Sequence, residues 1–265
     1  MKKLEFTIYR WEVLLAVILL ISLTSIVKIS PGFLIIKNEV VGTQSFQQQP
    51  PDKVKIVALT FDDGPYLGCT EELLGILRSE GVKATFFFTG KMSDLHKELV
   101  LETYRDGHEV GNHTYSHLNL TKLGTEKIKY EIESTSKILS QIVNKPINIF
   151  RPPGGNYNEK VVNFIKENGY IMVLWTFSPN DYNLTSEKVL YNRILGNLTG
   201  EDIILLHSGV EVTCKALPKI IKILKHKGYK FVTISEYISI VSRSKDKTWA
   251  NYLVNAEGKI YKKTT

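Results

Sequence analysis

Asp62 and Asp63 stand side by side in Thr60-Phe61-Asp62-Asp63-Gly64-Pro65, directly after the apolar run Val54-Lys55-Ile56-Val57-Ala58-Leu59. Consecutive residues at a strand end point in different directions, so one carboxylate can bind a cation while the other handles a proton. The plain alternative is an acidic surface turn, because Asp, Gly and Pro are the usual turn residues. The stretch His113-Thr114-Tyr115-Ser116-His117 favours the first reading. Two imidazoles at this spacing can converge on one divalent ion, a carboxylate can supply a third ligand, and a position stays open for water. Arg151-Pro152-Pro153-Gly154-Gly155, Asp181-Tyr182 and Leu205-Leu206-His207 follow in order, adding a cation, a further carboxylate and a histidine that can exchange protons near neutral pH.

These residues need elements to hold them. Strand-like and helix-like segments alternate from Val54 onward: Val54–Phe61 then Glu71–Glu80, Ala84–Phe88 then Asp94–Arg105, Glu109–Asn112 then Thr125–Gln141, and Ile149–Arg151 then Glu159–Asn168. The alternation continues with Tyr170–Trp175 and Ser186–Leu198, Ile203–His207 and Cys214–Lys227, and Lys230–Thr233 and Ser235–Ser242. Repeated βα units predict a parallel α/β architecture. Gly81, Gly107, Gly169 and Gly228 each sit between a helix and the next strand, as C-terminal stops do. Asp62, Asp63, His113, Arg151, Asp181 and His207 all fall just after strands, the face on which a β/α barrel builds its site. A doubly wound sheet is the alternative, but no Gly-rich phosphate turn follows the first strand.

The conjunction of these motifs closely resembles the polysaccharide deacetylase family, the NodB-like carbohydrate esterases, over roughly Lys53 to Ile240. The resemblance implies a distorted β/α barrel of about seven parallel strands and a metal-dependent hydrolase that removes N-acetyl groups. It assigns Asp63, His113 and His117 to the ion, Asp62 as the base and His207 as the acid that protonates the leaving amine. Arg151 would pair with the base, and Asp181 would orient His207 and stabilise its charged form. Two positions depart from the family pattern. Gly154 stands where a Tyr is often found, although the task there, a backbone N–H to the oxyanion, is one that Gly can perform. Tyr182 stands where an Asp-Trp pair is usual, making that wall less apolar. An inactive carbohydrate-binding protein on the same fold is the competing reading. One carboxylate and two imidazoles suit Zn, and could also hold Co, Ni or Mn.

The address comes from the N-terminus. Lys2, Lys3 and Arg10 precede the apolar stretch Val13–Val27, with Trp11 and Lys28 at its edges. Residues 1–30 therefore read as a cytoplasmic tip and signal anchor, with the rest of the chain outside the cell membrane; a cleaved signal peptide, giving a secreted protein, is the alternative. Residues 31–52 read as a linker, 53–242 as the deacetylase domain and 243–265 as a basic tail. A formal charge of +7 favours an anionic wall or membrane face. Peptidoglycan amino sugars are thus expected as substrate ahead of chitin-like chains. No basic helix, zinc-finger spacing or aromatic-basic signature points to nucleic acid.

Cys69 and Cys214 imply no disulfide framework; an oxidising exterior would allow the two to pair, but the first and sixth strands need not bring their Cα atoms close enough. His96, His108 and His226 read as surface or structural. Asn112, Asn119, Asn183 and Asn197 begin Asn-x-Thr triplets, the first overlapping His113.

Overall fold

The central strand of the molecule is the one that ends in the paired carboxylates. β3 (Ile56–Asp62) is buried along its whole length, as the near-continuous apolar run of a strand covered on both faces requires. The computed structural model describes residues 54–243 throughout, together with the backbone of strands β1 (Phe33–Ile36), β2 (Glu39–Gly42) and β10 (Leu253–Val254). After β3 come α1 (Cys69–Glu80), β4 (Thr85–Phe88), α2 (Gly90–Leu95), α3 (Lys97–Arg105), β5 (Glu109–Asn112) and α4 (Thr125–Val143). The chain continues through β6 (Ile149–Phe150), α5 (Glu159–Glu167), β7 (Ile171–Val173), α6 (Glu187–Gly196), β8 (Glu201–His207), α7 (Glu211–His226), β9 (Lys230–Phe231) and α8 (Ile234–Val241).

The strands from β3 to β9 are parallel, in the order β7-β6-β5-β4-β3-β8, with β9 also pairing the start of β3. A bridge between Phe177 and Ile204 links the segment after β7 back to β8, closing the ring. This is the parallel α/β architecture that the alternation predicts, in the form of the distorted barrel of about seven strands that the family resemblance implies. Its irregularity lies in the short β6 and β7 and in β9, which occupies only the lower part of the β3 edge, at Ile56 and Val57.

Side-chain alternation along the strands sorts the core into layers. Val57, Leu59 and Phe61 of β3 join Phe86, Phe88, Ile204 and Leu206 in a cluster against α1 and α7. Ile56 and Ala58 join Phe87, Ile149, Val173 and Ile203 inside the barrel. The rings of Phe61 and Phe86 stack 5.0 Å apart. Continuing that alternation puts Thr60 and Asp62 on the interior side of β3, and Leu205 and His207 on the interior side of β8. Asp62 and His207 are register partners on these adjacent strands. Base and acid candidates, 145 positions apart in the chain by subtraction, are thereby neighbours at one end of the barrel.

Several expectations need correction. The single helix Asp94–Arg105 is two helices, which begin earlier and break at His96, whose φ of −128° and ψ of 53° leave the helical region. Cys69 and Cys214 come close, because β8 pairs directly with β3 and the helices that follow these two strands lie side by side. Both are free thiols, with the Cys214 sulfur 3.9 Å from the Cys69 carbonyl oxygen. Burial first, then the charge of Glu72, pushes the Cys214 thiol up to about 12. His108 has the structural role expected of it: it is buried, its Nδ1 accepts the Ala84 N–H, and burial lowers it to about 4, so it is a neutral core histidine.

The segment 31–52, read as a linker, contains the antiparallel pair β1 and β2. Within 243–265, β10 pairs antiparallel with β7, Leu253 opposite Val173. The expected signal anchor at 1–30 lies outside the described residues. No helix among the described residues is long and apolar enough to cross a membrane.

Candidate active site

At the C-terminal ends of β3, β5 and β8 the chain opens a cleft of about 420 Å³ lined by Asp62, Asp63, His113, His117 and His207. The strand ends alone do not aim all of these side chains inward. Asp63, next to the interior-facing Asp62, would point away if β3 continued; its left-handed φ of 67° turns it back toward the histidines. Gly64 follows with the same φ, and a Cβ there would stand 2.6 Å from Ser208 Oγ. Glycine is what lets the β3 and β8 loops approach. Thr114 and His117 also adopt positive φ, 65° and 56°. Backbone of this kind costs energy and persists where the surrounding structure imposes it, commonly at functional sites.

Asp63 Oδ1 lies 3.6 Å from His113 Nε2 and 3.2 Å from His117 Nε2. Donor atoms of these three residues all fall within 4.8 Å of one another, a mixed carboxylate and imidazole set that fits a divalent ion. The protonation of His113 supports the fit. Its Nδ1 is 2.8 Å from the Arg151 carbonyl oxygen, which can only accept, so Nδ1 carries the proton and Nε2 presents a lone pair to the cluster. Burial, opposed by Asp62 and Asp63, lowers the His113 pKa and keeps the ring neutral.

Arg151, fully buried, reaches Asp62 from beneath. Its Nη1 donates to Asp62 Oδ1 and to Thr60 Oγ1, both at 2.7 Å, while Nε and Nη2 donate to the carbonyls of Val173 and Leu174. The guanidinium also lies 4.1 Å from the Phe87 ring centroid. Asp62 is therefore held by a cation whose own donors are spent on the barrel interior, leaving Oδ2 toward the cleft, 3.7 Å from His113 Nε2.

Asp181, also fully buried, holds His207 in the same manner. Its Oδ1 accepts His207 Nδ1–H at 2.7 Å; Oδ2 accepts the His207 backbone N–H at 2.9 Å and the Thr213 hydroxyl at 2.7 Å. Burial alone would lower the His207 pKa. The hydrogen bond and charge of Asp181, with Asp62 and Asp63, outweigh it and raise the value. With Nδ1 committed to Asp181, Nε2 is the nitrogen available for proton exchange.

The site residues expected from the sequence, Asp62, Asp63, His113, His117, Arg151, Asp181 and His207, thus meet at one end of the barrel. Gly154 lies in the cleft wall with φ 61°, and a Cβ there would stand 2.7 Å from Asn156 Nδ2. Tyr182, 58% exposed, sets its ring edge-on to His207 at 5.1 Å. The sequence reading missed Tyr66, Trp175, Gly209 and Val210, which also line the walls. Adjacency to Asp62-Asp63 for Tyr66, and to a strand end for Trp175, were the available signals. Asn112 is buried with its amide donated to Ile132 O and Ser136 Oγ, so its Asn-x-Thr triplet offers no accessible acceptor.

Comparison with known proteins gives the following. The family described as polysaccharide deacetylase matches residues 49–173. A Bacillus cereus peptidoglycan-N-acetylglucosamine deacetylase is 37% identical over 210 residues, 77% of this chain and 98% of that protein. The Bacillus subtilis peptidoglycan-N-acetylmuramic acid deacetylase PdaC is 31% identical over 200 residues, 76% of this chain and 42% of that longer protein. The solved structure of peptidoglycan deacetylase PdaC superposes with a TM-score of 0.68 at 31% identity, covering 71% of this chain and 92% of that one.

Proposed function

Because the chain belongs to the polysaccharide deacetylase family, we propose that it is a metal-dependent hydrolase that removes N-acetyl groups from peptidoglycan amino sugars at the outer face of the cell membrane. The observation that carries this reading is the meeting, in one cleft, of a three-donor cluster with two ionisable side chains that are each held by an oppositely charged or acidic partner.

Amide hydrolysis needs an activated water, a stabilised oxyanion and a proton for the departing amine. Asp63, His113 and His117 would hold the ion, which when bound supplies Lewis-acid polarisation of the acetyl carbonyl and activation of water. Asp62 would take the proton from the attacking water through Oδ2, while Arg151 fixes Oδ1 and keeps the carboxylate from rotating away. His207 would deliver the proton from Nε2 to the amine nitrogen, with Asp181 holding the ring and favouring its charged form. The Gly154 backbone N–H would offer a donor to the oxyanion. Zn suits the donor set best, and Co, Ni or Mn could occupy it.

The named relatives act on peptidoglycan, and the chain's positive charge of +7 suits an anionic wall. N-acetylglucosamine and N-acetylmuramic acid are both candidate targets, ahead of chitin-like oligomers. The basic residues before Val13–Val27 support an anchor that starts inside and leaves the enzyme outside. Mass spectrometry of peptidoglycan fragments and chito-oligomers incubated with defined metals tests the proposal. Acetate loss from the peptidoglycan fragments is expected; loss only from chito-oligomers would overturn the substrate, and loss from neither would overturn the activity.

A further inference from the structure

The loop that carries two of the three proposed ion-binding donors is fastened by two helices, α4 at both its ends and α2 in its middle. At the start of the loop, Asn112 donates to Ile132 O at 2.7 Å and Ser136 Oγ at 2.8 Å, and its Oδ1 accepts the Thr114 N–H at 2.8 Å. The middle is fixed by α2, whose Gly90 and Lys91 N–H groups donate to the carbonyls of Thr114 and Tyr115. The end, beside His117, is held by a different device. Ser116 gives its backbone N–H to Glu131 Oε2 at 2.8 Å and its hydroxyl to Glu131 Oε1 at 2.6 Å. Glu131 is fully buried, and Lys127, one turn earlier on α4, approaches it to 3.3 Å.

A carboxylate taken out of water is costly unless it is paired and hydrogen-bonded. Here both oxygens are committed to one residue of the loop. His117 is the donor that most needs such support: its side chain is 48% exposed, against 2% for His113 and 27% for Asp63. It also sits at positive φ, where a residue without a tether would relax. We propose that Glu131 is a positioning residue of the ion site, which clamps Ser116 so that the exposed His117 is already aimed at Asp63 before the ion arrives. Pre-setting the most exposed ligand removes part of the ordering entropy that binding would otherwise cost. This inference rests on the reading of Asp63, His113 and His117 as the ion site.

The test is calorimetric titration of the metal-stripped full chain with Zn²⁺ alone, alongside the melting temperature of the apo protein. Glu131→Ala should weaken Zn²⁺ binding about 10- to 100-fold, as removal of a ligand's supporting partner commonly does. Glu131→Gln should recover most of that loss, since its amide oxygen can accept the Ser116 N–H while the Ser116 hydroxyl rotates to accept from the amide nitrogen. In a His117→Ala background, Glu131→Ala should add no further loss, because the residue it acts through is gone. A lowered melting temperature with unchanged Zn²⁺ affinity, or additive losses in the double variant, would overturn the proposal. If Glu131→Ala does not fold, Ser116→Ala, which removes only the hydroxyl donor, should still weaken binding; unchanged affinity there would also overturn it. A wild-type protein that binds no Zn²⁺ would instead defeat the ion site itself, and the role of Glu131 with it.

Discussion

Asp62 and His207 face the same cleft from adjacent strands, and their partners make them opposites: a buried guanidinium on one, a buried carboxylate on the other. Asp62→Asn should leave the ion in place, since Asp63 and both histidines remain, yet lower turnover about 10²–10⁴-fold, the usual contribution of a general base. Metal content and kcat measured on one preparation check this; retained turnover would remove Asp62 from the mechanism. His207→Ala should show a defect that depends on the leaving group. An amine leaves only with a proton, whereas an activated aryl acetate releases a stable phenolate, so this variant should keep relatively more esterase than amidase activity. Equal losses on both substrates would require a different proton path. The raised pKa of His207 carries a pH signature. Its protonated form should persist above the ordinary imidazole range, placing the alkaline limb of kcat/KM higher than a free histidine would. Asp181→Asn removes the hydrogen-bonded anion and leaves burial, which acts downward, so the limb should move to lower pH. An unmoved limb would mean that another group sets it.

At the level of strands and loops, much was legible because the motifs sit at strand ends, and a strand's apolar run with a Gly-terminated helix after it is a strong signal. The alternation of buried faces on β3 and β8, which turns Asp62 and His207 inward, follows from the period of two. Less local features were not readable. The break at His96 depends on a backbone conformation that a polar helical stretch does not announce. The saturation of Arg151 by Thr60 of β3 and by Val173 and Leu174 at the end of β7 joins segments 91 residues and 22 to 23 residues away in the chain, which only the fold brings together. Glu131 occupies an unremarkable place in an amphipathic helix, and its burial follows from packing against a loop fixed elsewhere. The direct pairing of β8 with β3 placed Cys214 beside Cys69, a proximity that chain order does not require. Gly64 gives this scale its prediction. Gly64→Ala combines left-handed backbone with a close approach to Ser208, so the variant should lose more than about 1 kcal/mol of stability and displace Asp63. Denaturant midpoints and Zn²⁺ titration measure both effects; an unchanged midpoint would show that the β3 and β8 loops can separate freely.

Residues 54–243 form a barrel that gathers the candidate donors, base and acid at the C-terminal ends of its strands. If Val13–Val27 stays in place, the intact N-terminus should fractionate with membranes while the deacetylase domain is digested by external protease. Release into the medium of a chain lacking that segment would support cleavage instead. The family relationship makes deacetylation the chemistry, while the proposed dependence on an ion, and on peptidoglycan as substrate, can be put to one measurement. Protein stripped of metal is incubated with peptidoglycan fragments, acetate release is followed by mass spectrometry, and Zn²⁺ is then restored to wild type and to His117→Ala. The account predicts no release from stripped protein, recovery on adding Zn²⁺ to wild type, and little recovery in the variant at the same Zn²⁺ concentration. Undiminished acetate release from metal-free protein would contradict it.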